Sequence, residues 1–436
     1  MRKNYAISIY ILLTLFAGQV AAKTLNKSTK ESTVKSINQL LTDNYVYPEM
    51  AAKMNKHIQQ QLNKGQYSKI KDANEFAGKL TEDLQSISKD KHLRILHQPD
   101  RVAAQREREA LPDNNEVDPA YLRSAQQANF GFKQVKIIDG NIGYLNLTNF
   151  FDASLGGDTA VSAMNFLSNA DALIIDLREN GGGSPSMIQL ITSYLYGSER
   201  VHLNNFYWRP SDTHTQTWTL PHVQGKRRPD MPVYVLTSKG TFSAAEEFSY
   251  NLRNLERATL IGETTGGGAH PGGTQIVNDQ FLIWLPQGRA INPITNTNWE
   301  GVGVKPHFDV KASDALNVAH QKAIESLAEA NPGEEGFKYR WYLKALNVQN
   351  NPFYLDNKTQ SSYAGSYGPR TISFENNELY YQRKGRAKHK MIALDSTTFA
   401  IEGNSDFRVQ VVLKKGKSIA LKGLYDSGSS DQNPRN

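Results

Sequence analysis

Cysteine is absent from the 436-residue sequence. This absence excludes disulfide bonds, thiolate nucleophiles and cysteine-ligated metal sites, so covalent catalysis would have to use an oxygen or nitrogen nucleophile. Long apolar runs are also scarce, and beyond the N terminus no segment approaches the ~20 apolar residues that a bilayer requires. With 39% hydrophobic and 21% charged residues, the composition is that of a water-soluble globular protein.

A concentrated charge of one sign is missing as well. The formal net charge is +7, but the basic residues are scattered along the chain. The run Lys226-Arg227-Arg228 is too short to indicate nucleic-acid binding, because a solvated loop has the same composition. No nucleic-acid partner is therefore predicted.

The N terminus has the pattern of a secretory signal peptide. Two basic residues, Arg2 and Lys3, precede an apolar run from 7 to 17, and small residues follow at 20–22. Because the apolar run is shorter than a membrane span, we predict cleavage rather than anchoring. The mature protein is then expected to be periplasmic or secreted, with membrane contact only through the transient signal peptide.

Changes of pattern along the chain predict several units, as expected for a chain longer than one ordinary core. Apolar residues spaced by three and four predict three N-terminal helices, whereas short alternating segments predict strands near the C terminus. The predicted organisation is a signal peptide (1–22), an N-terminal helical domain (23–98), a connector (99–130), an α/β core (131–311), a helical linker (312–358), a small all-β domain (359–427) and a disordered tail (428–436).

Strands and helices alternate in the central region. Residues 172–175 and 233–236 are short continuous apolar runs, which are typical of strands buried on both faces. Each run is followed by a turn and an amphipathic helix, and a hairpin about Asp139-Gly140 precedes them. This order predicts a mostly parallel sheet, with its cleft at the carboxyl ends of the strands.

Ser243 follows the second buried run at the start of a helix. A serine there lies at the positive end of the helix dipole, and the amide of Ala244 is free to stabilise an oxyanion. The alternative is a structural role, since Ser243 and Glu246 have capping-box spacing.

Three further segments carry candidate functional groups. Asp176-Leu177-Arg178-Glu179-Asn180-Gly181-Gly182-Gly183 ends the first buried run, and its glycines allow close backbone approach to a substrate. His92 follows the third helix and could act as a base or lie in solvent. Glu300 lies among glycines and apolar residues, where a carboxylate can orient an imidazole or only occupy a surface turn.

In this order the four segments resemble the tail-specific (C-terminal-processing) serine peptidase family, in the branch of the tricorn core and the interphotoreceptor retinoid-binding protein repeats. The resemblance covers roughly residues 30–310. The resemblance implies an α/β core of the crotonase-like ββα type. It also implies a role for each residue that occupies a position of the family's motifs. The implied roles are nucleophile for Ser243, base for His92, third member of the triad for Glu300, and oxyanion donors for the amides of Gly182 and Ala244.

The sequence departs from the family pattern in three places. Gly268 occupies the position at which relatives with a Ser-Lys dyad carry lysine, so a lysine base is excluded. Only about 40 residues separate His92 from the predicted hairpin, too few for the PDZ domain that many relatives insert there. Lys91 replaces the serine that tricorn-core proteins place before the catalytic histidine. Gly183 and His270 are candidate substrate contacts, and His270 is also a rival base.

The predicted function is that of an exported serine peptidase that cleaves peptide bonds through an acyl-enzyme, without metal or organic cofactor. A peptide or protein is the expected substrate, and homo-oligomerisation is left open. The alternative is a non-catalytic carrier that binds an apolar ligand or peptide in the same cleft. The complete Ser-His-Glu set favours the enzyme, since a carrier needs none of the three.

Overall fold

The structure is a computed structural model that describes residues 25–110 and 117–436. The predicted signal peptide, 1–22, lies outside the described residues. Within the described ranges, no helix combines the length and apolar character needed to cross a bilayer.

The N-terminal region consists of three helices and one strand: α1 (Lys27–Asn44), α2 (Pro48–Asn63), α3 (Ala73–Ser88) and β1 (Arg94–His97). Asn26 caps α1 by accepting from the Thr29 amide at 2.8 Å, so the helix begins at Lys27. The apolar stripes of the helices pack together and against a later strand around Phe281.

The segment that we interpreted as a connector is largely helical in its described parts. It contains α4 (Pro99–Glu109), α5 (Pro119–Gln127) and a 3-10 turn at Asn129–Gly131. Proline at the first turn begins both α-helices, where its missing N–H and fixed φ are tolerated.

The α/β core follows. In chain order its elements are β2 (Phe132–Ile138), β3 (Ile142–Leu147), α6 (Ala153–Phe166), β4 (Ala172–Asp176), α7 (Pro185–Ser193), β5 (His202–Trp208), β6 (Thr213–Trp218), β7 (Val233–Thr237), α8 (Ala244–Asn254), β8 (Thr259–Gly262), β9 (Gly272–Ile276), β10 (Phe281–Pro286), β11 (Gly288–Ile291) and β12 (Phe308–Asp309).

A six-stranded sheet in the order β12-β8-β7-β4-β3-β2 forms the centre of this core. All neighbours are parallel except the β2–β3 hairpin. Strand β4 is buried throughout: Leu173 and Ile175 face the helices α6, α7 and α8, while Ile174 faces the opposite layer. Because the sheet is covered on both faces, the side chains on both faces of its central strands are buried, which explains the continuous apolar runs.

Two three-stranded sheets lie beside the central one, in the orders β1-β10-β9 and β11-β5-β6. In the first, Arg94 pairs with Trp284, which joins the N-terminal region to the core. The pairing brings the segment before β1, which carries His92, next to the glycine-rich segment before β9. This long-range pairing therefore positions the candidate base.

The C-terminal part begins with α9 (Ala315–Ala330), a 3-10 turn (Glu334–Gly336), α10 (Phe337–Asn350) and α11 (Asn357–Tyr363). An eight-stranded antiparallel sheet with consecutive strand order follows. Its strands are β13 (Gly365–Tyr367), β14 (Arg370–Glu375), β15 (Glu378–Arg383), β16 (Lys388–Ala393), β17 (Thr398–Ile401), β18 (Asn404–Lys414), β19 (Lys417–Tyr425) and β20 (Ser430–Pro434).

The prediction of a disordered tail at 428–436 is wrong. Ser430–Pro434 forms β20 and pairs with β19. The polar composition misled the interpretation, because an edge strand is held by backbone pairing and needs little apolar surface. Asp431 adds an ion pair with Arg370, and the Arg435 amide donates to the Ile419 carbonyl at 2.8 Å.

Candidate active site

Ser243 lies between the carboxyl end of β7 and the first residue of α8. Its backbone has φ 56° and ψ −122°, a conformation that non-glycine residues rarely adopt and that concentrates at functional sites. Such a sharp strand-to-helix turn presents a serine side chain at the open end of a sheet. Ser243 is half-buried, so it is reachable from solvent.

Glu246 holds this turn in place. Its carboxylate is fully buried and accepts from the Ser243 amide at 2.9 Å. It also accepts from the amides of Gly267 at 2.6 Å and Gly268 at 2.8 Å, and from the Thr265 hydroxyl. Burial raises its pKa, although these hydrogen bonds act in the opposite direction. One side chain thus joins the nucleophile turn to the glycine-rich segment.

The predicted oxyanion donors differ in availability. The Ala244 amide has no acceptor within the described residues, and it lies 3.0 Å from where a Cβ on Gly182 would be. The Gly182 amide, however, donates to Asn180 Oδ1 at 2.9 Å, so it is not free in this conformation as the prediction required. The amide of Gly183, in the same turn, has no acceptor among the residues described.

Glycine is required in this turn. Gly182 has φ +115°, and a Cβ there would lie 2.7 Å from the Cβ of Ser243. At Gly183 an added Cβ would lie 2.0 Å from the Phe150 carbonyl oxygen. The turn can therefore approach the serine only with glycine at both positions.

His92 lies in an aromatic slot. Its ring is 4.5 Å from that of Phe242 and stacks on Trp284 at 4.7 Å, measured between ring centroids. Phe242 directly precedes Ser243, so His92 and Ser243 belong to adjacent parts of the candidate site. Both ring nitrogens are buried and make no hydrogen bond to any described residue, and none therefore joins His92 to Ser243.

Gly268 forms the remaining side of this slot. A Cβ at position 268 would lie 2.7 Å from His92 Cε1 and 2.3 Å from a ring carbon of Phe242. No side chain can therefore occupy this position while the imidazole is in the slot. Lys91 points elsewhere and donates to the Gly266 carbonyl at 2.5 Å.

Two carboxylates and a second imidazole lie beside His92. Asp90 accepts from the His92 amide at 3.0 Å and from the Tyr45 hydroxyl at 3.2 Å, and it is 2.8 Å from Nδ1 of His270. The same Nδ1 is 3.5 Å from Glu300 Oε2. His270 therefore bridges the two carboxylates.

Glu300 reaches this cluster from its loop. Its Oε2 accepts from the Ala269 amide at 2.5 Å, while its Oε1 has no partner among the described residues. One oxygen each from Asp90 and Glu300 and one nitrogen of His92 lie within 4.8 Å of one another. Glu300, which is distant from Asp90 and His92 in the sequence, is thus brought next to them.

The protonation states follow from burial. Desolvation lowers the pKa of His92 to about 4, against the opposing effect of Asp90, so the ring is neutral at neutral pH. Burial, followed by the negative charge of Asp90, raises the pKa of Glu300 to about 7. Burial and Asp90 also hold the pKa of Tyr45 far above its usual range, which keeps its hydroxyl a donor.

Asp90, His92 and Glu300 are also the residues that could hold a cation, since each offers one ligand atom in a shared space. Two carboxylates and one imidazole are a common donor set for divalent metals. Both oxygens of Asp90 and one of Glu300 already accept hydrogen bonds. We therefore base no reaction step on a metal.

Comparison with known families matches two regions of the chain. Residues 141–310 match Peptidase family S41, and residues 21–131 match the N-terminal domain of this peptidase family in eukaryotic interphotoreceptor retinoid-binding protein. The chain belongs to peptidase family S41. The family domain spans both buried strands, Ser243 and Glu300, and the N-terminal match includes His92.

The curated relatives of this S41 chain are processing proteases. It is 33% identical over 135 residues to a carboxyl-terminal-processing protease of Synechocystis, covering 29% of this chain and 28% of that protein. It is 24% identical over 213 residues to the carboxy-terminal processing protease CtpA of Bacillus subtilis, covering 48% and 44%. The chain thus spans less than half the length of either relative.

Among solved structures, the chain is similar to a peptidase from Parabacteroides merdae, with 19% identity and a TM-score of 0.45 over 65% of this chain and 90% of that one. This degree of likeness supports no residue-by-residue comparison.

Sequence reasoning missed three positioning residues of the S41 site. Glu246 was interpreted only as half of a capping box, and neither Asp90 nor Asn180 was given a role. Asn180 is fully buried and fixes the glycine turn to β3 by donating to the Leu147 carbonyl at 2.9 Å. Their partners are distant in sequence, so local spacing carries no signal for them.

Proposed function

We propose that this chain is an exported serine peptidase that cleaves peptide bonds through an acyl-enzyme on Ser243. The observation that carries the proposal is the strained backbone of Ser243 at a helix N terminus, next to an Ala244 amide without an acceptor. A cap would need neither the strain nor the unpaired amide. The S41 family membership supports the same chemistry.

In the proposed reaction, His92 takes the proton of the Ser243 hydroxyl as the oxygen attacks the substrate carbonyl. The C–N bond then breaks and His92 returns the proton to the leaving amine. A water molecule then attacks the acyl-enzyme in the same way: His92 takes a proton from the water and returns it to Ser243, which releases the acid product. The neutral state of His92 suits it to act as a base, and the nearby Glu300 carboxylate would stabilise the imidazolium that forms.

Two adjustments accompany this proposal. His92 must turn within its slot so that one ring nitrogen reaches the Ser243 hydroxyl. The oxyanion would be bound by the Ala244 amide together with Gly183, or with Gly182 once Asn180 releases it. Such tightening on substrate binding is common, because catalytic hydrogen bonds are often incomplete in free enzymes.

Labelling with a fluorophosphonate probe tests the nucleophile. We expect the folded wild-type chain to be labelled and Ser243→Ala to remain unlabelled, with Ser238→Ala as the matched control that keeps labelling. If the folded wild type is not labelled, the carrier interpretation replaces ours. Equal labelling of wild type and Ser243→Ala would place the nucleophile elsewhere.

We further propose a periplasmic or secreted location and a polypeptide substrate. The basic, apolar and small-residue pattern of residues 1–22 supports export, and the names of the processing-protease relatives support the substrate class. Expression of the full chain in a bacterium followed by N-terminal sequencing tests the location. A mature chain that begins near Lys23 in the periplasm or medium is expected, and an uncleaved cytoplasmic chain contradicts it.

A further inference from the structure

The C-terminal antiparallel sheet carries a solvent-open cavity of about 520 Å³ whose lining is both aromatic and basic. Tyr381, Phe407 and Tyr425 form one wall, with ring centroids 5.5 and 5.1 Å apart along the series. Aromatic walls of this kind give a ligand a large contact area at low entropic cost. The cavity is thus more than a gap between strands.

Three arginines also line this cavity. Arg383 and Arg386 flank the turn between β15 and β16 and are exposed, and neither has an acidic partner among the described residues. Arg370, only 2% exposed, pairs with Asp431, yet its Nε is buried without an acceptor. Its guanidinium lies 5.4 Å from the centroid of Phe407.

The two carboxylates of the lining do not neutralise these arginines. Asp406 accepts from the Tyr342 hydroxyl at 2.8 Å, and Asp426 pairs with Lys338 at 3.2 Å. Both partners belong to α10, so these acidic groups are engaged by the helix. The exposed guanidiniums therefore remain available to an anionic ligand.

The cavity is remote from Ser243. Ser405, next to the cavity residues, donates to Asp139 Oδ1 at 3.1 Å, and Asp139 lies just before the amino end of β3. Ser243 follows the carboxyl end of β7, which runs parallel to β3 through β4. The two sites are therefore separated by roughly one strand length, about 17 Å for five residues.

We propose that this cavity binds a peptide segment in which carboxylate side chains alternate with aromatic ones. Carboxylates match the guanidiniums of Arg383 and Arg386 in bidentate geometry, and aromatic side chains match the ring wall. A nucleic acid fits less well, because each of its units carries a phosphate, whereas the lining offers two exposed arginines beside three aromatic rings. Binding here does not depend on the chemistry at Ser243.

Fluorescence anisotropy with a labelled Glu/Tyr peptide tests the proposal. The full chain carrying Ser243→Ala is used, so that cleavage cannot remove the probe. We expect this peptide to bind at least tenfold more tightly than a Gln/Tyr peptide of equal length, and the affinity to fall with added salt. Arg383→Glu with Arg386→Glu should weaken binding by a further factor of at least ten.

The matched control is Lys414→Glu with Lys417→Glu. This pair makes the same change of charge on a hairpin of the same sheet, outside the cavity lining, and should leave binding within about twofold of the starting value. Equal loss in both double variants, or equal binding of the Glu/Tyr and Gln/Tyr peptides, would overturn the proposal. Competition by an oligonucleotide but not by acidic peptide would assign the site to nucleic acid instead.

Fluorophosphonate labelling of Arg383→Glu with Arg386→Glu, in a chain that retains Ser243, separates this proposal from the catalytic one. Unchanged labelling with lost peptide binding is the expected result. Loss of labelling in this variant would contradict the separation of the two sites.

Discussion

The nucleophile and the candidate base of this site are held by different kinds of interaction. The turn at Ser243 is held by hydrogen bonds: Glu246 accepts from three backbone amides. Around His92 the contacts are aromatic, and both ring nitrogens lack a partner among the described residues. The backbone of Ser243 is therefore preorganised, whereas no hydrogen bond to a described residue fixes the orientation of the His92 ring nitrogens.

The largest effect is expected on the base. His92→Phe should lower peptide hydrolysis by about 10³- to 10⁴-fold, because the general base is lost. The melting temperature should stay the same or rise, since a phenyl ring fits the slot between Phe242 and Trp284 and leaves no buried nitrogen unpaired. Hydrolysis kinetics check the expected loss of activity, and thermal denaturation checks the expected melting temperature. An active His92→Phe enzyme would assign the base to another residue, with His270 the first to examine.

The nucleophile side should respond in the opposite way, with activity and stability falling together. Glu246→Ala leaves three amides without their buried acceptor, so the free energy of unfolding should fall by about 3 kcal/mol. Fluorophosphonate labelling should slow by about 10²-fold as the turn loses its support. Denaturant unfolding and labelling kinetics measure both, with exposed Glu107→Ala as the control. Unchanged stability in Glu246→Ala would contradict the role that we give this carboxylate.

Acidification should reveal the unpaired imidazole. Because the folded-state pKa of His92 is about 4 and its ordinary value is 6.5, the unfolded chain binds the proton more readily. The full stability is present above pH 6.5 and is lost as the pH falls toward 4, by about 3 kcal/mol for this group. His92→Phe should remove this part of the pH dependence. Parallel stability curves for the two proteins over that pH range would argue against a buried neutral ring.

The smallest effect is expected from Asp90, whose charge acts on His92 and not on the Ser243 turn. Asp90→Asn keeps the shape of the side chain but removes a charge that raises the pKa of His92. We expect kcat to fall about tenfold with KM nearly unchanged, and the acid limb of the pH profile to move to lower pH. Glu263→Gln, a half-buried carboxylate outside the cluster, is the control. A profile that does not move would leave Asp90 with a structural role only.

The same contrast explains what could be predicted from the sequence. The Ser243 turn and the glycine turn are local, since each follows a buried apolar strand within a few residues, and the parallel sheet follows from that alternation. The convergence of His92 with Glu300 depends on β1 pairing with β10, nearly 190 residues away. No local spacing encodes such a pairing, so only the family resemblance brought these residues into one hypothesis.

Other differences have equally physical reasons. The two small sheets were not predicted, because their strands are short and their partners distant. The amide of Gly182 was expected to be free, but the adjacent Asn180 occupies it, which only the folded turn reveals. The polar tail became a strand because backbone pairing requires no apolar pattern.

The contact between position 268 and the imidazole bears on how this site could change its chemistry. A side chain on residue 268 would overlap the ring of His92, and relatives with a Ser-Lys dyad carry lysine at that position. An imidazole at position 92 and a lysine at position 268 therefore cannot occupy this space at the same time. Interconversion would require both positions to change together, because a side chain at 268 needs space that the imidazole of His92 occupies.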